Sequence, residues 1–221
     1  MADDRISDVG VLDKSIAILA ALESGPHALA DLVVATGIHR ATAHRLAVAL
    51  EQHGLVRRDD SGRFTLGPRL VELGRVAANG LPLNEAARPA LQELVDATRE
   101  SGQLYVRDGD RRVCVESIES PQGLRTIVTL GAVLPLDRGS AGKVLLDSDA
   151  RVRTRGWAES VGEREAGVAS VSAPIRDLEG RVRAAVSVSG PIERTTRQPG
   201  RRYARAVTHA ARAIERAVGW A

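Results

Sequence analysis

The alternation of apolar and polar residues in the first part of the chain predicts three helices. Apolar residues recur at helical spacing from Val11 to Glu23. A second, short helix is expected over Leu29–Thr36, where the glycine that follows ends it. A third helix should begin near His39 or Arg40 and stop at Gly54. The apolar stripe of the first helix comprises Leu12, Ile16 and Leu19, widened by Ile18 and Leu22.

A β-hairpin is expected directly after the third helix. Two short extended pieces, Leu55–Arg58 and Arg63–Leu66, flank an Asp-Asp-Ser-Gly turn. Three helices followed by a hairpin indicate a winged helix-turn-helix.

Helical spacing returns at Pro68–Asn79 and again from about Asn84 to Arg99. A Gly-Leu-Pro break separates these two helices, which would link the halves of the protein and could also pair subunits. We therefore expect a DNA-binding domain over 1–67, linker helices over 68–101 and a second domain over 102–221.

Beyond Gly102 the pattern changes to strands mixed with helices. The predicted strands are Gln103–Arg107, Arg112–Ile118, Leu124–Leu130, Gly167–Ile175 and Arg181–Ser189. A helix is expected over Gly139–Leu146, and another begins at about Gly200. The last helix places its apolar positions on one face, namely Tyr203, Val207, Ala210, Ile214 and Val218. This mixture predicts an α+β, sensor-like domain.

The third helix has two distinct faces. Its buried stripe is predicted to contain Ala43, Leu46, Ala47 and Leu50, with Ala41, His44, Arg45, Val48 and Gln52 opposite. His44 and His53 point to opposite sides and His39 and His44 are poorly aligned, so the histidines do not predict a metal site. A solvated amphipathic helix is one interpretation. However, small side chains beside Arg40, His44 and Arg45 are typical of a helix that enters a DNA groove.

Charge and composition support the DNA interpretation locally. The formal net charge is only +3, but residues 39–63 carry five arginines against three acidic residues. Cys114 is the sole cysteine, which excludes an intrachain disulfide and a cysteine-based zinc site. The start of the chain does not resemble a signal peptide, and no apolar run approaches the ~18–20 residues needed to cross a bilayer. We therefore expect a cytoplasmic protein without membrane contact.

Serines alternate with small apolar residues on two predicted strands. Ser170 and Ser172 share one face of their strand, and Ser187 and Ser189 share one face of the next. These hydroxyl groups could simply meet water, or they could form the floor of a pocket that donates hydrogen bonds to a carboxylate or carbonyl.

Catalytic interpretations are weak. The run Gly139-Ser-Ala-Gly-Lys143 departs from a phosphate-binding loop, which would need Gly at Asp137 and Ser or Thr at Val144. Cys114 lies in a predicted strand without a nearby histidine, as buried structural cysteines do. The sequence thus predicts no catalytic residue, no metal and no cofactor.

Six segments spread along the chain carry a family resemblance: VGVLDKSIAILAAL, GIHRATAHRLAVALEQHGLV, RFTLGPRLVELG, LDRGSAGKVLL, RGWAESVGEREAGVASVSAPI and AAVSVSGPIER. On these segments the chain resembles the IclR-type bacterial transcriptional regulators over nearly its whole length. The resemblance is closest to actinobacterial members linked with amino-acid, particularly leucine, metabolism.

The resemblance implies a winged-helix DNA reader joined by a helical linker to a GAF-like effector domain. It further implies a homodimer or tetramer that binds double-stranded DNA at palindromic operators and answers to a small-molecule effector. The start of the GSAG helix would add N–H groups suited to an anion, so a small carboxylate or amino acid is expected. Together with the charge pattern, it assigns DNA binding to His39, Arg40, Thr42, His44, Arg45, Arg57 and Arg63. Effector binding is assigned to Leu134, Ser140, Ala141, Ser170, Ser187 and Ser189.

Two departures from the family pattern are visible. Many members have Ser where this chain has Ala41, so one DNA contact would be missing. Only Asp147–Arg155 joins two segments that family members usually separate by a longer stretch with another helix. Either this loop is trimmed or residues are absent from the sequence. The rival function is a ligand-binding enzyme or sensor whose helix-turn-helix contacts only proteins.

Overall fold

The computed structural model describes residues 9–79 and 82–221. Contacts divide the chain into two compact units, 1–77 and 78–221, and this division falls inside the predicted linker segment.

The first unit contains the predicted helices and hairpin in the predicted order, which confirms the helix-turn-helix fold. The connection between the second and third helices is short because Gly37 adopts a left-handed conformation, with φ of 67°. The elements are α1 (Gly10–Ala21), α2 (Leu29–Thr36), α3 (Arg40–Gln52), β1 (Val56–Arg58), β2 (Phe64–Leu66) and α4 (Pro68–Asn79), with a 3₁₀ turn at Leu22–Ser24.

The core of this unit lies where α1, α2 and α3 meet the hairpin. The predicted stripe of α3 is confirmed, because Ala43, Ala47 and Leu50 are buried and Leu46 packs beside them. The expectation for α1 is only partly correct. Its C-terminal half contributes Ile18 and the following turn Leu22, whereas Leu12 and Ile16 are 51% and 53% exposed. Helical spacing cannot show which turns of a helix have a neighbour to pack against.

The same turn closes a hairpin in each unit, as Asp-x-x-Gly-Arg. In the first unit the side chain of Asp59 accepts hydrogen bonds from the N–H groups of Ser61 and Arg63 and from the guanidinium of Arg63. In the second unit Asp177 accepts the equivalent bonds from Glu179 and Arg181. Gly62 and Gly180 take φ of 74° and 78°, a region that glycine enters without strain.

The second unit is an antiparallel sheet with helices on both faces, so the predicted α+β class is confirmed. Within residues 82–221 the strands follow the order β5-β4-β3-β8-β7-β6. The strands are β3 (Ser101–Asp108), β4 (Arg111–Ile118), β5 (Val133–Pro135), β6 (Ala158–Val161), β7 (Val168–Arg176) and β8 (Val182–Pro191). The helices are α5 (Pro82–Thr98), α6 (Gly139–Leu146), α7 (Ala150–Arg155), α8 (Ile192–Thr195) and α9 (Pro199–Ala217).

One face of this sheet packs against α5 and α9, and the other packs against α6. The first core of this unit lies between the sheet, α5 and α9, and it contains Val186, Val188 and the predicted apolar face of α9. The second core lies between the sheet and α6, and it contains Ala185 and Val144. Alternation along β8 therefore sends Val186 and Val188 to one layer and Ala185 and Ser187 to the other, whereas Val182 at the start of the strand packs against the second core.

The predicted strand Leu124–Leu130 is wrong. This segment is irregular, and the edge position beside β4 is taken by β5, which pairs Arg112 with Leu134. Buried side chains hold the segment without a ladder, since the hydroxyl of Ser101 donates to the carbonyl of Thr126 at 2.7 Å. A short apolar run in a sequence does not by itself distinguish a strand from an irregular buried segment. The sequence patterns also missed β5, β6, α7 and α8.

The short segment 147–155 folds into a turn and one short helix. Asp147 takes a left-handed conformation with φ of 48° and ends α6. The side chain of Asp149 then accepts a hydrogen bond from the N–H group of Arg151 at 2.8 Å and starts α7. Val152 of α7 is buried and packs this segment against the second core.

Candidate functional site

The start of α3 presents an exposed basic surface. His39, Arg40, His44 and Arg45 are exposed, and Thr42 is half-buried on the same side. Within residues 9–79, no ion pair involves any of these basic side chains. Their hydrogen-bond donors are therefore available to phosphates and base edges.

The arginines of the hairpin are in different situations. Arg57 is exposed, and it too forms no ion pair within residues 9–79. The guanidinium of Arg63 is held by Asp59, with an Nη2–Oδ2 distance of 2.8 Å. Arg58 lies 4.3 Å from the ring centre of Phe64 and pairs with Glu51 at 3.3 Å. Arg57 is thus the hairpin arginine with the greatest freedom to contact DNA.

The second unit encloses a small polar cavity between the sheet and the start of α6. Its volume is about 20 Å³, room for roughly one water molecule. The cavity is lined by Tyr105, Arg112, Gly139, Ser140, Ala141, Ser160, Arg164, Val168, Ser170, Ser187 and Ser189.

Serine hydroxyls form a connected network on the cavity floor. The Oγ atom of Ser140 lies 2.7 Å from those of Ser170 and Ser172. The hydroxyl of Ser172 donates in turn to that of Ser187 at 2.9 Å. Ser189 donates instead to the Oε1 atom of Gln103 at 3.0 Å. The interpretation that the strand serines meet bulk water is wrong for Ser172, Ser187 and Ser189, which are buried, while Ser170 is half-buried.

A glutamate lies at the N-terminus of α6, beside the cavity. One carboxylate oxygen of Glu163 accepts a hydrogen bond from the N–H group of Gly139 at 3.3 Å, and the other is bound by Lys143. The amide groups at the start of a helix favour negative charge, so this is a position where the fold already accommodates a carboxylate.

Arg112 extends beneath the start of α6. Its guanidinium donates to the carbonyl groups of Pro135 and Arg138, and it lies 5.4 Å from the ring centre of Tyr105. The two glycines of α6 leave room for it: a Cβ on Gly139 would lie 3.3 Å from Nη2, and one on Gly142 would lie 2.7 Å from Nη1. Burial lowers the pKa of Arg112 and raises that of the Tyr105 phenol, which stays neutral.

The structure brings five of the six predicted effector residues to this cavity, namely Ser140, Ala141, Ser170, Ser187 and Ser189. Leu134 lies outside its lining and packs against the second core from β5.

Sequence reasoning missed Tyr105, Arg112, Ser160, Arg164 and Val168. Two of them left a signal, since Arg112 shares strand parity with Cys114 and Val168 shares strand parity with Ser170 and Ser172. Cys114 is buried as predicted, and burial raises the pKa of its thiol to about 12.

An exposed basic recognition-type helix in one unit and an enclosed polar cavity in the other are the two features of a ligand-responsive DNA-binding regulator. Comparison with known proteins identifies which regulators these are. The model of the IclR helix-turn-helix domain matches residues 11–60, and that of the bacterial transcriptional regulator IclR C-terminal domain matches 76–151 and 149–216. The chain belongs to the IclR family of transcriptional regulators.

Relatives and solved structures agree with this assignment. The transcriptional regulator KipR of Bacillus subtilis is 30% identical, with 94% of this chain and 96% of KipR covered. A glycerol operon regulatory protein of Streptomyces coelicolor is also 30% identical, with the same shares covered. An IclR regulator from Alicyclobacillus acidocaldarius has the same fold, with a TM-score of 0.84 at 22% identity over 96% of this chain and 100% of that one.

The comparisons also bear on the short segment 147–155. The alignment with KipR runs over 241 positions against the 221 residues of this chain, so at least 20 positions belong to the relative alone. The two parts of the C-terminal family match meet at residues 149–151. The chain therefore lacks residues that relatives have, and the family match breaks where the segment is short.

No helix within residues 9–79 and 82–221 is long and apolar enough to cross a membrane.

Proposed function

We propose that the chain binds a specific double-stranded operator through the start of α3 and the hairpin. The observation that carries this proposal is the exposed basic surface at the start of α3, formed by His39, Arg40, His44 and Arg45, which take part in no ion pair within residues 9–79. Arg45 and Arg40 can reach base edges and phosphates, while Thr42 allows close approach. Arg57 supplies a phosphate contact, and Arg63, which is held by Asp59, keeps the hairpin turn in shape beside the DNA.

The cavity beneath α6 is the proposed effector site, and a small carboxylate or amino acid is the proposed effector. Its lining combines serine hydroxyls and the amide groups of a helix start with two arginines, and it includes no carboxylate side chain. A solved relative from Microbacterium hydrocarbonoxydans is complexed with 4-hydroxybenzoate, an aromatic carboxylate (21% identity, TM-score 0.79). Leu134 would act from behind the cavity rather than by contact.

We further propose that the protein acts in the cytoplasm as a homodimer or tetramer on palindromic sites and carries out no catalysis. The resemblance to regulators of leucine and other amino-acid metabolism makes those pathways the first candidates for control. Because the relatives include glycerol operon regulators, glycerol and its phosphate belong among the candidate effectors.

Footprinting on the region upstream of its own gene tests this function. The full chain should protect a palindromic site, and its affinity should fall steeply as salt rises, because each neutralised phosphate contributes roughly 0.9 to the logarithmic slope. Amino acids, their keto acids and glycerol phosphate are then added to find which one changes the footprint. If the chain protected no specific DNA site, that result would instead favour the rival function, a sensor whose helix-turn-helix contacts only proteins.

A further inference from the structure

The cavity beneath α6 holds positive charge that no carboxylate side chain in its lining balances. Arg112 is 2% exposed, and its Nη1 atom is bound only by backbone carbonyl groups. Its Nε atom is buried without a hydrogen-bond partner. Buried charges are normally paired, because an unpaired one forfeits its hydration without compensation. An anion is the missing partner.

A second arginine reaches the same cavity near Gly139, where Arg112 also lies. Arg164 lies in the loop between β6 and β7, and its side chain lines the cavity together with Arg112. Its pairing with Glu165 is loose, at 3.5 Å, and that carboxylate is largely exposed. Desolvation is the main cause of the lowered pKa of Arg112, and the charge of Arg164 lowers it further, whereas the charge of Asp137 raises it. Two like charges thus face one space whose lining includes no carboxylate side chain.

We propose that Arg112 and Arg164 together bind the carboxylate group of the effector and are what makes this site select an anion. This inference rests on the proposed effector site and adds the charge and the residues that recognise it. Arginine suits the role because its planar donors match a carboxylate and stay charged at any physiological pH. The serine network beneath would then orient the uncharged part of the ligand.

Glu163 holds the site in its ligand-free arrangement. Its carboxylate already lies at the N–H group of Gly139, next to Arg164 in the chain. The loop that carries both residues is bounded by Gly162 and Gly167, which take φ of 70° and 83°. A cavity of about 20 Å³ cannot admit an organic acid, so its lining must open, and we assign that opening to this loop. The effector carboxylate would compete with that of Glu163.

Matched pairs of probes test the charge requirement on the full chain. Lactate, 4-methyl-2-oxovalerate and 4-hydroxybenzoate are each compared with the corresponding amide by thermal shift and calorimetry. At least one carboxylate should raise the melting temperature saturably while its amide does not. Arg164→Gln should lower the affinity for that carboxylate roughly tenfold or more. Arg197→Gln, which replaces an exposed arginine outside the cavity lining, should leave this affinity unchanged.

Two further variants separate recognition from folding. Arg112→Lys keeps the charge but loses the planar fork, so it should also weaken carboxylate binding. Glu163→Gln should strengthen it several-fold, an increase that a purely structural role of the loop does not predict. Equal binding of carboxylate and amide, no effect of Arg164→Gln, no increase with Glu163→Gln, or no shift with any carboxylate would overturn the inference. Operator binding is measured on the same samples. If an amide or glycerol alone released the operator, the regulatory function would stand and the anion site would fall.

Discussion

Asp59 holds Arg63 across the hairpin turn: its carboxylate accepts hydrogen bonds at 2.9 Å from the backbone N–H group and the Nε atom of Arg63, and its Oδ2 atom lies 2.8 Å from Nη2 of the same guanidinium. The arginine that the family resemblance assigns to DNA reading is therefore engaged by the hairpin itself. A contact with a phosphate would have to compete with this carboxylate. Arg57, on the preceding strand, faces no such competition among residues 9–79.

The two hairpin arginines should accordingly respond differently to alanine substitution. We expect Arg57→Ala to weaken binding to any DNA sequence and to lower the logarithmic salt slope by about 1, because one phosphate contact is lost. Arg63→Ala should reduce the slope less and should disturb the turn instead. Fluorescence anisotropy with random-sequence DNA at several salt concentrations measures both. An equal or larger loss of slope for Arg63→Ala would contradict this assignment.

The Asp59 carboxyl should titrate below the ordinary aspartate value of about 3.9. The backbone hydrogen bond from Arg63 is the main cause of its lowered pKa, supported by the guanidinium of the same residue and the N–H group of Ser61. Because the pKa is lower in the folded state, the hairpin is stabilised above the unfolded pKa. That stabilisation disappears as the pH falls through the folded pKa. NMR titration of the carboxyl carbon measures it, and Asp59→Asn should remove the pH dependence of the Gly62 amide shift. A normal titration would show that the turn is open in solution.

Arg45→Ala should strongly weaken specific operator binding while leaving the fold intact. The side chain is exposed on the face of α3 opposite the buried alanines, so the free energy of unfolding should change by less than about 0.5 kcal/mol. Loss of one base contact costs roughly 1–3 kcal/mol of binding. Arg69→Ala is the control, because Arg69 is an exposed arginine of the same unit whose partner is Glu72. Unchanged operator affinity for Arg45→Ala in a mobility-shift titration would exclude this helix face as the reader.

The parts that the sequence predicted well are those decided by neighbours in the chain. The faces of α3 follow from helix geometry, and the turn at Asp59 follows from a local Asp-x-x-Gly-Arg pattern. The charge of the cavity was not predictable, because Arg112 comes from β4 and Arg164 from a distant loop. Their meeting depends on the strand order β4-β3-β8-β7-β6, which no single segment encodes. The same cause explains the failure at Leu124–Leu130, where β5 displaces the expected strand.

Ser172→Ala should destabilise the second unit. The residue is fully buried, and its hydroxyl links Ser140 of α6 to Ser187 of β8. Removing it deprives Ser140 and Ser187 of one partner each, while Ser140 keeps Ser170 at 2.7 Å and Ser187 keeps the carbonyl of Val171 at 3.4 Å, so the loss should cost roughly 0.5–1.5 kcal/mol. Urea unfolding followed by tryptophan fluorescence reports on this unit, since Trp157 and the other tryptophan both lie beyond residue 78. Ser148→Ala, at an exposed serine, is the control and should leave the midpoint in place. Equal midpoints for the two variants would mean that water replaces the missing hydroxyl.

Gly142→Ala should destabilise the same unit, whereas Gly74→Ala should stabilise the first. A Cβ on Gly142 would lie 2.9 Å from the carbonyl carbon of Leu136, closer still to its oxygen, and 2.7 Å from the Arg112 guanidinium. Backbone cannot yield cheaply at such distances, so α6 would have to shift, at a cost of roughly 1–3 kcal/mol or more. A Cβ on Gly74 in α4 meets nothing within 4 Å, and alanine there should contribute about 0.5–1 kcal/mol through helix propensity. The tryptophan fluorescence transition should therefore shift to a lower urea concentration for Gly142→Ala and stay unchanged for Gly74→Ala. For Gly74→Ala, the helical circular dichroism signal that the first unit contributes should be lost at a higher urea concentration. If Gly142→Ala left the tryptophan transition unchanged, the close packing of α6 on the 135–138 turn, and with it the position assigned to Arg112, would be wrong.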